Sequence, residues 1–559
     1  MTKNKIIIAF TTFLLAVGCS SETDLSRALA TITNEDLARQ VSIVSADSFM
    51  GRKPFSQGET ITIEYLAAEL KRLKYEPAFG DSYFQSVPMT EIQTSLKGNA
   101  RIKLGKEIIE LTAPDDLALT SPVSEEEIVV TQSQLVFAGF GIVAPEYGWN
   151  DYKDLDVKGK TVVVLVNDPG LYTGNPALFK GREMTFYGRW TYKFQEAARQ
   201  GAEGILIIHE TEGAGYEYTI PRKSSISPRL QIDNTGSEIY QCSFNGWISS
   251  ASADRLFGAI EKDVKKLREE ACIAGYVGFG MEATIDMTIN NTIVKSSSSN
   301  VAGILKGSKR PDEAIVFTAH WDHFGVGEKE NGDSIYNGAV DNGTSMAWVF
   351  EIGDAFSSLK NRPERSIMLF FPTAEEQGLI GSTYYAENPV FNNDLTVACF
   401  NNDLLLPMGR MKDVMITGFG QSDLDSLVEM VAAKQDRYIM ADPNSHTGMY
   451  FRSDHFPFAA KGIPAMFARG NCDSREFGKE WAAAQDADYI KNKYHRPADN
   501  YVPEEWNFDG IREDASLMFE VGYLLSNTSW FPRWKPGSEF GNIRTTDKLD
   551  NFVKENMVQ

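Results

Sequence analysis

Apolar and polar positions repeat with different periods in different parts of the chain. Over residues 59–73 apolar side chains recur every three or four positions, which predicts an amphipathic helix packed on a core. Short apolar runs at 135–137 and 161–166, separated by Gly, Pro and Asn, predict strands. A helical pattern at 192–199 then leads into a predicted strand at 204–208.

Beyond Val301 apolar strands alternate with helical segments. We predict strands at 314–318, 366–371, 396–400 and 463–467, and a helix at 346–356. Such alternation is typical of an α/β sheet covered by helices on both faces. We therefore predict an α/β fold for this part of the chain.

The length of 559 residues exceeds what one ordinary core holds, so at least two folded units are expected. The strand-rich stretch up to about Ala283 has no cluster of metal-ligand residue types, which favours an inserted second domain. We predict a main domain in two parts, 31–115 and 286–535. Between them lies an inserted domain at 116–285, and a polar tail follows at 536–559.

The formal net charge of -21 argues against nucleic acid as a partner, because a strongly acidic surface repels it. Small or cationic substrates remain allowed.

The N-terminus has the pattern of an export signal. Lys3 and Lys5 precede an apolar run at 6–17, which is shorter than the roughly 20 residues that span a bilayer. The signal peptide is predicted at 1–18. Cys19 and the three residues before it resemble a bacterial lipobox, which implies a lipidated Cys19 and a flexible tether at 19–30. By the same resemblance the protein is an outer-membrane lipoprotein of a Gram-negative bacterium, facing the periplasm or the exterior; a plain signal peptide is the alternative.

Four further cysteines lack the close paired spacing that would predict a disulfide. Cys242 with Cys272 is the pair that we would test first.

Residues of metal-ligand type follow the predicted strands. The strand in AIVFTAHWDH delivers His320 to its carboxyl end, where open α/β sheets place their sites. Asp322 is placed to hold the second imidazole nitrogen of His320, which would leave the first for a metal. Asp341 lies in a Gly-flanked turn, NGAVDNGTS, before a helix that Thr344 or Ser345 could cap. A carboxylate so exposed can bridge two cations.

Three more segments complete the set. SIMLFFPTAEE ends in Glu375 and Glu376, Asp403 follows the strand TVACF, and His495 lies in YHRPADN. Three carboxylates and two imidazoles exceed the needs of one tetrahedral zinc but suit two zinc ions that share a bridging Asp. Glu375 would then take a proton from the attacking water and pass it to the leaving amine.

The ordered motifs HWDH, NGAVDNGTS, TAEEQGLIGS, NND, SDHFPF and YHRPADN resemble those of the M28 family of co-catalytic zinc peptidases. GRKPFSQGE at 51–59 is similar to an N-terminal stretch of that family. The chain departs from the family pattern where NND replaces Asn-Leu-Asp and where Gly343 replaces Ala. The segment 136–168 resembles the opening of a protease-associated (PA) domain.

The resemblance implies an aminopeptidase-like fold, a mixed sheet between helices, and two zinc ions. It implies that His320 and Asp403 bind one zinc and that Glu376 and His495 bind the other. Asp341 would bridge the ions and Glu375 would be the base. The PA domain would be a lid or cleft wall.

Several neighbours of these motifs have open roles. Asp454 and His455 either line the site or orient the nearby loop. Tyr494 could donate a hydrogen bond to a reaction oxyanion or simply pack. His323 is interpreted as structural or as a support for the ligands.

The function that we predict is an aminopeptidase acting on a peptide substrate. A carboxypeptidase or dipeptidase of the same fold is an alternative. The resemblance also implies two other possibilities: a relative that cyclises N-terminal glutamine and usually keeps one zinc, and a receptor-like relative that has lost the metals. The complete set of candidate ligands argues against both.

Overall fold

The structure is a computed structural model that describes residues 18–544, with side chains from Asp24 onward. The predicted signal peptide up to residue 17 and the last part of the predicted tail, 545–559, lie outside the described residues, and so does the side chain of Cys19. The chain divides into two compact units. The first comprises residues up to Val87, Ser298–Asp442 and the chain from Arg452; the second comprises Pro88–Ser297 and Pro443–Phe451.

The first unit contains a mixed sheet. In spatial order its strands are Glu76–Pro77, the end of Phe279–Leu305, Arg365–Phe371, Arg310–Thr318, Thr396–Asn401, Ala465–Arg469, Asp413–Thr417 and Tyr438–Ala441. The three strands from Arg365–Phe371 to Thr396–Asn401 are mutually parallel, and they are buried apart from the first four residues of Arg310–Thr318. A separate hairpin pairs Gly325–Glu330 with Asp333–Tyr336.

Helices cover both faces of this sheet. The α-helices of the first unit are Gly18–Leu29, Asn34–Val44, Gln57–Arg72, Ser345–Ser358, Ile380–Glu387, Leu424–Ala432, His455–Ala459, Gly478–Asn492 and Asp509–Ser526. On one face Phe317 packs against Phe356 of Ser345–Ser358. On the other face Phe370 packs against Tyr385 and Phe458. The predicted α/β fold with a mixed sheet between helices is confirmed.

The second unit is mainly β-structure, with strands at 88–96 and 279–297 and at Ala100–Leu104, Glu107–Leu111, Leu117–Thr120, Glu127–Phe137, Val143–Ala144, Trp149–Asn150, Thr161–Leu165, Gly204–Ile208, Arg229–Ile232 and Phe244–Ile248. Its helices are Pro169–Thr173, Trp190–Arg199, Thr211–Ala214, Thr219–Ser225, Ser250–Ala259 and Val264–Ala271. Buried residues such as Phe137, Phe244 and Phe257 form its core.

The predicted boundaries differ from those of the structure in three places. The main segment of the second unit runs from Pro88 to Ser297, beyond the predicted 116–285, because the strands at both of its ends pair with other strands of that unit. Most of the predicted tether, 19–30, lies in the helix Gly18–Leu29, whose Ala28 is buried in the first unit's core. The predicted tail includes Phe540, which is buried against Trp534.

Both cysteines of the pair selected for a disulfide test, Cys242 and Cys272, have free thiols. Cys242 lies in one apolar cluster of the second unit, and Cys272 packs against another. Among the described residues, no helix combines the length and the apolar character needed to cross a membrane.

Candidate metal centre

The predicted ligands meet at the carboxyl edge of the first unit's parallel strands. His320 follows the strand Arg310–Thr318, Glu375 and Glu376 follow Arg365–Phe371, and Asp403 follows Thr396–Asn401. Parallel neighbours end at the same edge, so side chains that are far apart in sequence converge there. His495 comes from the loop after the helix Gly478–Asn492.

Asp341 lies in an irregular turn, Ala339–Thr344, where its own dihedrals and those of Asn342 are not helical. The carboxylate of Asp499 accepts the backbone N–H of Val340 and of Asp341, each at 3.0 Å. The expected cap of the next helix is wrong: among the described side chains none caps Ser345–Ser358, and Thr344 Oγ1 instead donates to Val340 O. Backbone contacts thus orient the Asp341 carboxylate.

Each oxygen of Asp341 faces a different histidine. Oδ1 lies 3.4 Å from His320 Nε2, and Oδ2 lies 3.3 Å from His495 Nε2. His320 Nε2 is also 3.6 Å from Asp403 Oδ1, while His495 Nε2 is 3.2 Å from Glu376 Oε2. Two groups of candidate ligand atoms therefore share the Asp341 carboxylate.

The spacing of these atoms fits metal ligands. Zinc ligands at about 2.0–2.1 Å in a tetrahedron lie roughly 3.3 Å from one another. The buried atoms His320 Nε2 and Asp403 Oδ1 have no hydrogen-bond partner within residues 18–544. Such orphaned acceptors are costly unless something binds them. The residues present therefore fit a metal, and His320, Asp341 and Asp403 form one geometrically suitable group.

Asp322 supports His320 in a different way from the one predicted. The His320 Nδ1 atom lies 3.1 Å from the backbone oxygen of Asp322 and 3.9 Å from its carboxylate. The carboxylate instead accepts the backbone N–H of Glu375 at 2.9 Å and of Glu376 at 3.4 Å. An Nδ1–H that donates to the carbonyl still leaves Nε2 of His320 free for a metal.

Glu375 is the buried carboxyl beside this cluster. Its Oε2 lies 3.8 Å from His320 Nε2. Burial raises the pKa of Glu375 well above its ordinary value; the nearby carboxylates of Asp403 and Glu376 also raise it, and His320 opposes the rise. A carboxyl with a raised pKa is suited to hold a proton in transit.

Of the residues with open roles, Asp454 and Tyr494 lie close to the candidate ligands. Asp454 is buried, accepts a hydrogen bond from Ser382 Oγ at 2.6 Å, and has its pKa raised to about 7 by burial. His455 begins the helix His455–Ala459. Tyr494 stacks on His495 with ring centroids 3.7 Å apart. These contacts position the loops; a direct chemical role for Asp454 stays a prediction.

Sequence reasoning missed Arg52 as part of this site, although GRKPFSQGE had been singled out. Its buried guanidinium donates to five backbone carbonyls, those of Val44, Trp321, Asn337, Gly338 and Asp341. Burial lowers the pKa of Arg52 to about 10, so the group stays cationic at neutral pH. Arg52 thus ties the loops of His320 and Asp341 together. Arginine hydrogen-bonded to carbonyls has no sequence signature.

Ser453 was also missed. Its hydroxyl donates to Asp403 Oδ2 at 2.9 Å and accepts a hydrogen bond from Asn401 Nδ2 at 2.7 Å. This occupies one oxygen of Asp403 and leaves Oδ1 facing His320.

Residues 300–519 match the family model described as Peptidase family M28. The matched segment contains all of the predicted ligands and the predicted base, and it is less than half of the 559 residues. For this segment the match confirms the predicted class of enzyme, an M28-like hydrolase.

Curated relatives are similar over short segments. Aminopeptidase NAALADL1 of Mus musculus is 32% identical over 131 residues, which cover 22% of this chain and 16% of that protein. A probable zinc metalloprotease of Pyricularia oryzae is 30% identical over 138 residues, 25% of each chain. The chain therefore matches only a minor part of these relatives.

Two solved structures are similar over most of the chain. An aminopeptidase from Aneurinibacillus sp. strain AM-1 is 18% identical, with 89% of this chain and 95% of that chain covered and a TM-score of 0.45. A peptidase M28 precursor from Shewanella amazonensis SB2B is 17% identical, with 92% and 97% covered and a TM-score of 0.42.

Proposed function

We propose that this chain is a zinc-dependent exopeptidase, an aminopeptidase that hydrolyses the N-terminal peptide bond and uses two zinc ions. The observation that carries the proposal is the Asp341 carboxylate, which directs one oxygen to His320 and the other to His495. Asp403 completes the first group and Glu376 the second.

The charge of the site supports two divalent ions. Four carboxylates, those of Asp341, Glu375, Glu376 and Asp403, lie within 4 Å of His320 or His495. So many carboxylates are costly to bury together without cations. The guanidinium of Arg52 supplies one fixed positive charge, which leaves room for metal ions to balance the rest.

Zinc ions held there would polarise the scissile carbonyl and lower the pKa of an attacking water. Glu375 accepts the proton of that water and delivers it to the leaving amine. The backbone oxygen of Asp322 keeps the proton of His320 on Nδ1, so that Nε2 stays available as a ligand. His495, with 35% of its side chain exposed against 1% for His320, marks the side from which water and substrate enter.

The choice of an aminopeptidase over a carboxypeptidase or dipeptidase follows the similarity to aminopeptidase NAALADL1. We further propose that the second unit is a PA domain, and that a lipid on Cys19 anchors the protein to a membrane. The sequence patterns described above support both proposals.

The test measures zinc in purified protein and hydrolysis of peptides with free or blocked termini. We expect two zinc ions per chain, cleavage of peptides with a free N-terminus, and loss of cleavage when that amine is acetylated. Cleavage that tolerates an acetylated N-terminus but requires a free C-terminus would favour a carboxypeptidase. Less than one zinc per chain, with no activity after zinc is added, would reject the proposal that this chain is a zinc-dependent enzyme.

A further inference from the structure

We propose that His323 is a positioning residue that fixes the zinc ligand Glu376 through its Nδ1–H; this inference rests on the proposed two-metal site. His323 is buried three residues after His320. Its Nδ1 lies 2.7 Å from Glu376 Oε1, while Glu376 Oε2 lies 3.2 Å from His495 Nε2. One oxygen of Glu376 therefore accepts a hydrogen bond and the other faces the metal position.

The distances separate a hydrogen bond from a pair of metal ligands. The other pairs of histidine nitrogen and ligand oxygen, around His320 and His495, are 3.2 to 3.6 Å apart, as expected for two atoms on one ion. The 2.7 Å separation between His323 and Glu376 is that of a charge-assisted hydrogen bond. His323, Asp341 and Glu376 could by proximity also hold an ion. While Nδ1 carries the donated proton, however, it has no lone pair for a metal.

The His323 ring is held in place by its surroundings. Its backbone N–H donates to Arg52 O at 3.2 Å. A Cβ on Gly338, whose φ is +54°, would lie 2.7 Å from the ring atoms Cγ and Cδ2 of His323, so only glycine allows this close approach. The Phe324 ring contacts the imidazole at 4.9 Å between centroids. A ring packed on these sides keeps Nδ1 directed at Glu376.

A donor on Oε1 has two consequences for Glu376. It stops the carboxylate from rotating, so Oε2 is presented beside His495 before a metal arrives. It also prevents both oxygens from binding the ion. Loss of such a support around a metal ligand typically lowers metal affinity about 10- to 100-fold.

Two substitutions of His323 each place an amide N–H₂ group where a different nitrogen of the imidazole ring had been. The amide nitrogen of His323→Asn lies near the position of Nδ1, whereas that of His323→Gln lies near the position of Nε2. We expect His323→Ala to weaken one of the two zinc sites about 10- to 100-fold. His323→Asn should restore affinity to within a few-fold of wild type, His323→Gln should not, and the other zinc site should be unchanged. Zinc affinity is measured by competition with a chromophoric chelator, and circular dichroism checks the fold.

His446, an exposed histidine of the second unit, provides the matched control, and His446→Asn should bind zinc as wild type does. If wild-type protein binds two zinc ions but His323→Asn is as weak as His323→Ala, the inference is overturned and His323 acts through Nε2 or as a ligand. If wild-type protein binds fewer than two zinc ions, the two-zinc proposal fails first, and the inference fails with it.

Discussion

Asp499 Oδ2 accepts the backbone N–H of Asp341 at 3.0 Å, so one buried carboxylate orients the backbone that presents another. The hydroxyl of Tyr489 donates to the same Asp499 oxygen at 3.1 Å. The residue that bridges the two ligand groups is therefore positioned by a segment that lies 158 residues away along the chain.

Asp499→Asn tests this relationship. The amide turns a donor toward at least one of the backbone N–H groups of Val340 and Asp341, and an unsatisfied buried donor costs about 1–3 kcal/mol. Because Asp341 faces both histidines, we expect weaker binding of both zinc ions, measured by chelator competition. Asp488→Asn, an exposed change on the preceding helix, is the control. Unchanged zinc affinity in Asp499→Asn would contradict the argument.

Glu375→Gln should keep the metal and lose turnover. The amide has nearly the shape of the carboxyl but cannot accept a proton, and general acid–base catalysis contributes about 100- to 10,000-fold. We expect kcat to fall by that factor with zinc content unchanged. Glu387→Gln, at an exposed position on the helix Ile380–Glu387, should behave as wild type. Retention of most activity in Glu375→Gln would exclude it as the base.

Arg52→Met should destabilise the first unit. The substitution leaves up to five buried carbonyl oxygens without their donor, which we expect to cost at least about 3 kcal/mol. The measurement is the urea midpoint of unfolding, compared with that of Lys53→Met at the exposed neighbouring position. Equal midpoints for the two variants would show that Arg52 is dispensable.

Stability should depend on pH through Glu351, a buried residue whose Oε2 accepts the backbone N–H of Thr33 at 3.0 Å. Burial raises its pKa to about 8. The folded state therefore binds a proton that the unfolded state has released, from about pH 4.5 to about pH 8. The contribution of protonated Glu351 to the free energy of unfolding is fully present below pH 4.5 and is lost as the pH rises through 8.

Glu351→Gln keeps the shape of the protonated form and removes this titration. Wild-type protein should lose free energy of unfolding relative to the variant as the pH rises, in chemical denaturation at several pH values. The exposed Glu35→Gln on the helix Asn34–Val44 is the control. Parallel pH profiles for wild type and Glu351→Gln would contradict the prediction.

Cys19→Ser should release the protein from membranes if a lipid on Cys19 is the anchor. The measurement is the distribution between membrane and soluble fractions after expression with its own N-terminus. Cys472→Ser, at a partly buried position in the first unit, should leave that distribution unchanged. Unaltered membrane association of Cys19→Ser would refute lipidation at this residue.

The sequence by itself determined the parts that depend on local patterns. Buried strands and amphipathic helices were predicted near their observed positions, as at Gly204–Ile208 and Gln57–Arg72, because side-chain period follows backbone geometry. The candidate ligands were identified because each follows a strand or lies in a Gly or Pro loop. The resemblance to the family motifs also rested on the order in which these candidate ligands follow one another along the chain.

Only the tertiary structure decided which atoms meet. Asp322 holds His320 by its carbonyl rather than its carboxylate, because the carboxylate is used by the backbone N–H groups of Glu375 and Glu376. Arg52 is bound by carbonyl oxygens, which every residue has and no motif marks. Long-range contacts of this kind are set by how the loops pack, and a one-dimensional pattern does not contain that information.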